Sequence, residues 1–154
     1  MTDEEYAAYL TKHNPAVMPA SRVQLGAPYV LPKPVIAEPK MNANEVRYAR
    51  HLDVLKASGE IVDWQFQPFK LYLAPQTTLT PDFVVIYTDH IAVKDTKGMK
   101  RKRSSKGVVT ESYWAEEDAM VKIKACAAKF WYYKFSLVWR QSDGKWAEKE
   151  IPSN

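Results

Sequence analysis

Asp82, Asp95 and Lys97 are the residues whose types and spacing could do chemistry. Thr88-Asp89 reads as a two-residue turn between two β-forming runs, Asp82-Phe83-Val84-Val85-Ile86-Tyr87 and Ile91-Ala92-Val93-Lys94-Asp95-Thr96-Lys97. With that turn, paired positions sum to 177, so Phe83 faces Lys94 and Asp82 faces Asp95. Opposed residues have Cβ atoms about 4.5–5.5 Å apart, and like charges there repel. Lys97, two residues after Asp95, shares its face. Two carboxylates and an amine then converge on one spot. Such a pair is stable if one carboxylate is protonated, if Lys97 neutralises it, or if a divalent cation lies between them. Carboxylate oxygens without nitrogen or sulfur ligands suit Mg2+ or Mn2+. The alternative is a surface pair near the strand ends with Lys97 as its ion-pair partner. The hairpin alone leaves both open.

Around these residues the charge is uneven. The chain carries 22 basic and 18 acidic residues, a net charge of +4. Six basic residues, Lys97, Lys100, Arg101, Lys102, Arg103 and Lys106, fall in a stretch with no acid from Thr96 to Thr110. A patch this concentrated suits a polyanion such as DNA; a solvated loop without a partner is the other reading. His13, His51 and His90 are too scattered for a catalytic or metal cluster, and no P-loop, GxGxxG or GxSxG is present. The aromatic set Trp131, Tyr132, Tyr133, Trp139 and Trp146 reads mainly as packing, with base stacking or a dimer interface as the alternatives.

These residues need elements to position them. A helix is predicted over about 43–58, capped by Asn42 or Asn44 and stopped by Gly59. Its apolar stripe is Tyr48, Leu52 and Leu55, and Glu45 falls on the same face. Compensation of the helix dipole is the simplest reason for that carboxylate. Strands are predicted at 61–66, 69–73, 82–87 and 91–97, with Gly98 ending the last. A second helix over about 115–130 buries Ala119, Ile123, Cys126, Ala127 and Phe130, with Lys122 and Lys124 flanking that stripe. Two further strands, 135–139 and 145–151, are joined by a turn at Ser142-Asp143-Gly144. Residues 1–41 hold six of the ten prolines and read as an extended arm after a short capped helix at Thr2 to Leu10. Residues 42–154 form the domain.

At 154 residues the chain has room for one domain. Its 46% hydrophobic and 26% charged content is that of a globular protein and excludes a mainly disordered or collagenous chain. One cysteine, Cys126, excludes an internal disulfide and a cysteine-based zinc site, and reads as core filler. The N-terminus MTDEEYAAYL has no signal-peptide hydrophobic region, so a cytoplasmic setting is expected.

Pro81-Asp82, twelve intervening residues and Asp95-Thr96-Lys97 have the form of the PD-(D/E)XK signature. With Asn42-Ala43-Asn44-Glu45 before the strands and Trp114-Ala115-Glu116-Glu117-Asp118-Ala119-Met120-Val121-Lys122-Ile123-Lys124 after them, the chain resembles small phage-encoded endonucleases of that superfamily. The resemblance covers about 42–140. It departs in having Asp at position 95, where those relatives more often have Glu, and in the long basic insert after Gly98. It implies an α/β (α+β) fold, a restriction-endonuclease-like mixed β-sheet core flanked by helices. The implied activity is Mg2+-dependent hydrolysis of DNA phosphodiester bonds, with Mn2+ as a substitute, in the cytoplasm of a phage's bacterial host. Glu45, Asp82, Asp95 and the Thr96 backbone carbonyl would be the metal ligands, and Lys97 would orient the attacking water or stabilise charge on the phosphate. Lys122 would approach a phosphate from the second helix. Lys100, Arg101, Lys102, Arg103, Lys106 and Lys124 complete the expected DNA-binding set. Branched DNA such as a Holliday junction is a substrate that a homodimer would suit. The rival reading is a non-catalytic nucleic-acid-binding or assembly module on the same scaffold.

Overall fold

The computed structural model describes residues 39–153 together with Thr2, Glu4 and Glu5. Glu4 and Glu5 are helical. The Glu5 N–H donates to Thr2 Oγ1 at 3.2 Å, and the Thr2 N–H donates to a Glu5 carboxylate oxygen at 2.7 Å. The rest of the expected N-terminal helix, and the proline-rich arm up to residue 38, lie outside the described residues.

Helix α1 runs Ala43–Ser58, as the sequence predicts. Of the two candidate caps it uses Asn42, whose side-chain oxygen accepts from the N–H groups of Asn44 (2.9 Å) and Glu45 (3.0 Å). Glu45 reaches back to the Asn42 N–H at 2.7 Å, closing a capping box. At the other end Gly59 takes the left-handed conformation (φ +80°), which lets its N–H cap the carbonyls of Leu55 and Lys56. Tyr48, Ala49 and Leu52 form the buried face.

The strands are β1 Asp63–Phe66, β2 Leu71–Ala74, β3 Thr77–Leu79, β4 Phe83–Ile86, β5 Ile91–Arg103, β6 Val109–Trp114, β7 Lys134–Arg140 and β8 Trp146–Ile151. Helix α2, Glu117–Lys129, lies between β6 and β7. Two differences from the sequence expectation stand out. β3 is additional: it pairs with β2 across Pro75-Gln76, where Gln76 adopts positive φ without the Gly or Asn that usually marks such a turn. And β5 does not stop at Gly98. It continues to Arg103, and the basic insert is one arm of a β-hairpin with β6, where a loop was expected. A turn at Ser104 to Gly107 closes the hairpin, with Gly107 at φ +80°.

The main sheet has the order β1-β4-β5-β7-β8, with β5 and β7 parallel and the other neighbours antiparallel. β6 pairs only with the far half of β5. Alternation along the central strands gives the sheet two buried faces. Tyr48 and Leu52 of α1 pack with Phe83, Val85, Ala92 and Val138 on one. Ile123, Cys126 and Ala127 of α2 pack with Val84, Val93, Phe135 and Leu137 on the other. Residues 39–153 thus form a mixed sheet flanked by helices, the fold class expected. No helix among the described residues is long and apolar enough to cross a membrane.

Candidate active site

The register between β4 and β5 is the one read from the turn: Phe83 pairs with Lys94, Val84 with Val93, Val85 with Ala92 and Ile86 with Ile91. One step further it sets Asp82 against Asp95. Pairing with β4 ends at Lys94 and pairing with β6 begins at Gly98. Asp95, Thr96 and Lys97 therefore occupy the joint between sheet and hairpin, held by their parallel pairing to β7.

The side chains at this joint are engaged with one another. Lys97 Nζ lies 2.5 Å from Asp95 Oδ2, both largely buried. Asp82 Oδ2 accepts two hydrogen bonds of 2.8 Å, from the Thr96 N–H and the Thr96 hydroxyl. Burial, then the negative charge of Asp95 and a hydrogen bond with it, push the Asp82 carboxyl up to about 7 against the pull of the Thr96 donors. Near neutral pH this carboxyl is therefore poised between its neutral and charged forms. The donor set is all oxygen, and its excess negative charge is what a hard divalent cation cancels, so Asp82 and Asp95 fit such an ion.

The other expected ligands are placed differently. Glu45 is buried, 8% exposed, and one of its carboxylate oxygens is committed to the capping box. Among the described residues no three of His, Cys, Asp and Glu gather as a metal-binding group, so Glu45 is not brought into one with the aspartates. Thr96, expected to offer its carbonyl, contributes two donors to Asp82 through its N–H and hydroxyl. Helix α1 nevertheless meets the joint through its neighbouring residue: Asn44 Nδ2 donates to the Lys97 carbonyl at 3.2 Å.

Two arginines went unnoticed in the sequence. Arg47 of α1 and Arg140 at the end of β7 border a cleft of about 710 Å³ that also touches Asn44, Thr96 and Gly98 and has no carboxylate in its lining. They share it because β5 and β7 run parallel, so position 140 lies at the same end of the sheet as Lys97. No spacing within the chain announces that meeting.

The expected DNA-binding residues divide by strand alternation. Lys100 and Lys102 oppose Ser112 and Thr110 on one face of the hairpin. Arg101 opposes Glu111, at 3.9 Å, on the other. Glu111 also accepts from the Ser142 N–H and hydroxyl, which ties that face to the β7–β8 turn. Arg103 and Lys106 are exposed at the hairpin tip, and Lys122 and Lys124 are exposed on α2.

No protein-family model, no curated protein and no solved structure matches this chain.

Proposed function

We propose that the protein is a metal-dependent endonuclease that hydrolyses DNA phosphodiester bonds. The observation that carries this reading is the opposition of Asp82 and Asp95, with Lys97 on Asp95, at the root of a basic hairpin. A fold that only needed to pack would gain from separating these carboxylates, because like charges at opposed positions repel. Asp82 and Asp95 would hold Mg2+ or Mn2+. Such an ion, when bound, polarises a phosphoryl oxygen and favours attack by water. The two Thr96 donors fix the Asp82 carboxylate in one orientation. Lys97 Nζ, positioned by Asp95, has further N–H donors for the phosphate oxygen on which charge builds. The cleft arginines and the hairpin cations neutralise flanking phosphates without reading sequence.

The test is incubation with linear duplex, single-stranded and four-way-junction DNA in Mg2+, Mn2+ or EDTA, beside Asp82→Ala. Cutting that requires both the divalent ion and Asp82 is the expected result. Undiminished cutting by Asp82→Ala overturns the reading. A preference for junctions together with a dimeric protein would support a resolving role.

A second reading, a non-catalytic nucleic-acid-binding module, is favoured by one observation. Glu45 is engaged in its capping box, and among the described residues only two carboxylates meet at the joint. On that reading DNA binds equally well in chelator and is never cut.

A further inference from the structure

Trp114 is the last residue of β6, and its partner across the hairpin is Gly98. With no side chain on that partner, the indole is left 55% exposed. Alternation and register place Lys100, Lys102, Ser112 and Thr110 on the same face, the two lysines directly opposite the two hydroxyls. These side chains and Met120 of α2 border a concavity of about 510 Å³. Neither lysine has an acidic partner among the described residues. Arg101 on the opposite face, by contrast, is engaged with Glu111. One face of the hairpin thus braces it against the body of the domain. The other presents an aromatic ring, two cations and two hydroxyls to solvent.

We propose that this second face is a platform for unpaired DNA, with one base stacked on Trp114 and the adjoining phosphates held by Lys100 and Lys102. The inference rests on the reading of the protein as a DNA-cutting enzyme and names its substrate class: DNA with a single-stranded segment beside the cut. Every base has an aromatic face that an indole can stack on, without regard to sequence. Inside a duplex those faces are already stacked on neighbouring pairs, so an exposed indole gains little from duplex DNA. The lysines supply counter-charge, and the Ser112 and Thr110 hydroxyls supply neutral donors for phosphate or sugar oxygens. Position matters as much as composition. Gly98 follows Lys97 directly, so Trp114 borders the joint along the strand, on the face of β5 opposite to Asp95 and Lys97, and a strand seated there must pass the edge of the ribbon to reach them.

The test reads binding in EDTA, where no cutting can occur. The probes are a fluorescein-labelled single strand with 2-aminopurine at its centre and the duplex of the same sequence. They are titrated with the full chain, Trp114→Leu, Trp114→Phe and Lys100→Gln/Lys102→Gln. Wild type is expected to quench the 2-aminopurine on binding. Trp114→Leu should weaken single-strand binding about 5- to 100-fold and abolish the quench, while duplex affinity changes less than about twofold. Trp114→Phe should restore most of the loss. The double lysine variant should reduce the slope of log affinity against log salt for single strands by about 1.4. Equal single-strand affinity in Trp114→Leu, or equal loss for both probes, overturns the platform. Equal loss would assign the face to the duplex backbone instead. Cleavage with Mg2+ is scored separately. A wild type that quenches but never cuts removes the nuclease reading and, with it, the placement beside a cut. A wild type that cuts while Trp114→Leu binds single strands normally removes only the platform.

Discussion

Replacing Asp82 by Asn should stabilise the metal-free protein, by an amount that grows as pH rises from about 4 to about 7. The carboxyl rises from its ordinary 3.8 to about 7, first through burial and then through the charge of Asp95. A folded-state value above the unfolded one means that the folded protein binds the extra proton between those limits. Its contribution is therefore complete below about pH 4 and is lost as pH rises through 7. At 1.36 kcal/mol per pKa unit, the rise corresponds to on the order of 4 kcal/mol of stability lost across that window. Asparagine carries no charge at any pH, and its side-chain oxygen still accepts from the Thr96 N–H and hydroxyl. The variant should therefore match the wild type at pH 4 and exceed it at pH 8 by about 2–4 kcal/mol. For a chain of this size that is a rise in Tm of about 5–10 °C. Thermal unfolding followed by far-UV circular dichroism in EDTA, from pH 4 to 8.5, reads it directly. Adding Mg2+ at pH 8 should then raise the wild-type Tm and leave the variant's nearly unchanged, because only the paired carboxylates gain from a bound cation. A Tm difference that is the same at every pH, or a variant less stable than wild type at pH 8, refutes the raised Asp82 carboxyl.

Glu45→Gln keeps a capping-box acceptor, so stability should change by less than about 1 kcal/mol and cutting should persist; loss of cutting with an unchanged melt would place Glu45 among the ligands after all. Arg47→Gln/Arg140→Gln should weaken duplex binding and lower its salt slope by about 1.8, read by anisotropy, if the cleft between α1 and β7 holds two phosphates. On the α1 face of the sheet, Lys94 is 4% exposed and bonded to the Tyr87 hydroxyl and to Glu148, each at 3.0 Å. Glu148→Ala leaves that ammonium without its carboxylate and should cost about 1–3 kcal/mol in urea unfolding, less than for a fully buried pair because Glu148 is half exposed. Lys94→Met should cost less than Glu148→Ala, since it removes the charge along with its partner's task.

How far the sequence discloses all this depends on where burial leaves a pattern. The β4–β5 register is legible because Thr88-Asp89 separates two runs whose alternation admits one pairing, and a shift of one residue would turn Val84 and Val93 out of the core. The ends of α1 are legible because Asn42 and Gly59 have conformational reasons to stand there. The hairpin beyond Gly98 leaves no such trace. Both of its faces are largely exposed, so its strands carry charge where a half-buried strand would carry an apolar alternation. Gly98, read as a stop, is an ordinary strand residue with open space where a Cβ would be. Glu45 misleads for a related reason. Its three-residue offset from Tyr48 puts it on the core face, and its three-residue offset from Asn42 puts it in the cap; sequence spacing reports both, and only the observed hydrogen bond decides which one uses the carboxylate.

The same distinction sets the weight of the functional arguments. A row of lysines on a solvated ribbon costs the fold nothing, and by itself it says little about what the ribbon meets. Asp82 and Asp95 are different. The turn that pairs Phe83 with Lys94 forces them together, yet a neutral residue at either position would satisfy the same turn, the same ladder and the same cores. The turn, the ladder and the cores therefore give no reason for two acids at the joint, and the raised Asp82 carboxyl, due first to burial and then to the charge of Asp95, marks what holding them there costs. A repulsive pair placed where the sheet ends and the cationic hairpin begins is what the proposed task, performed on something anionic brought close by a cation, would require. For that reason the pair, more than the basic run, supports the nuclease reading.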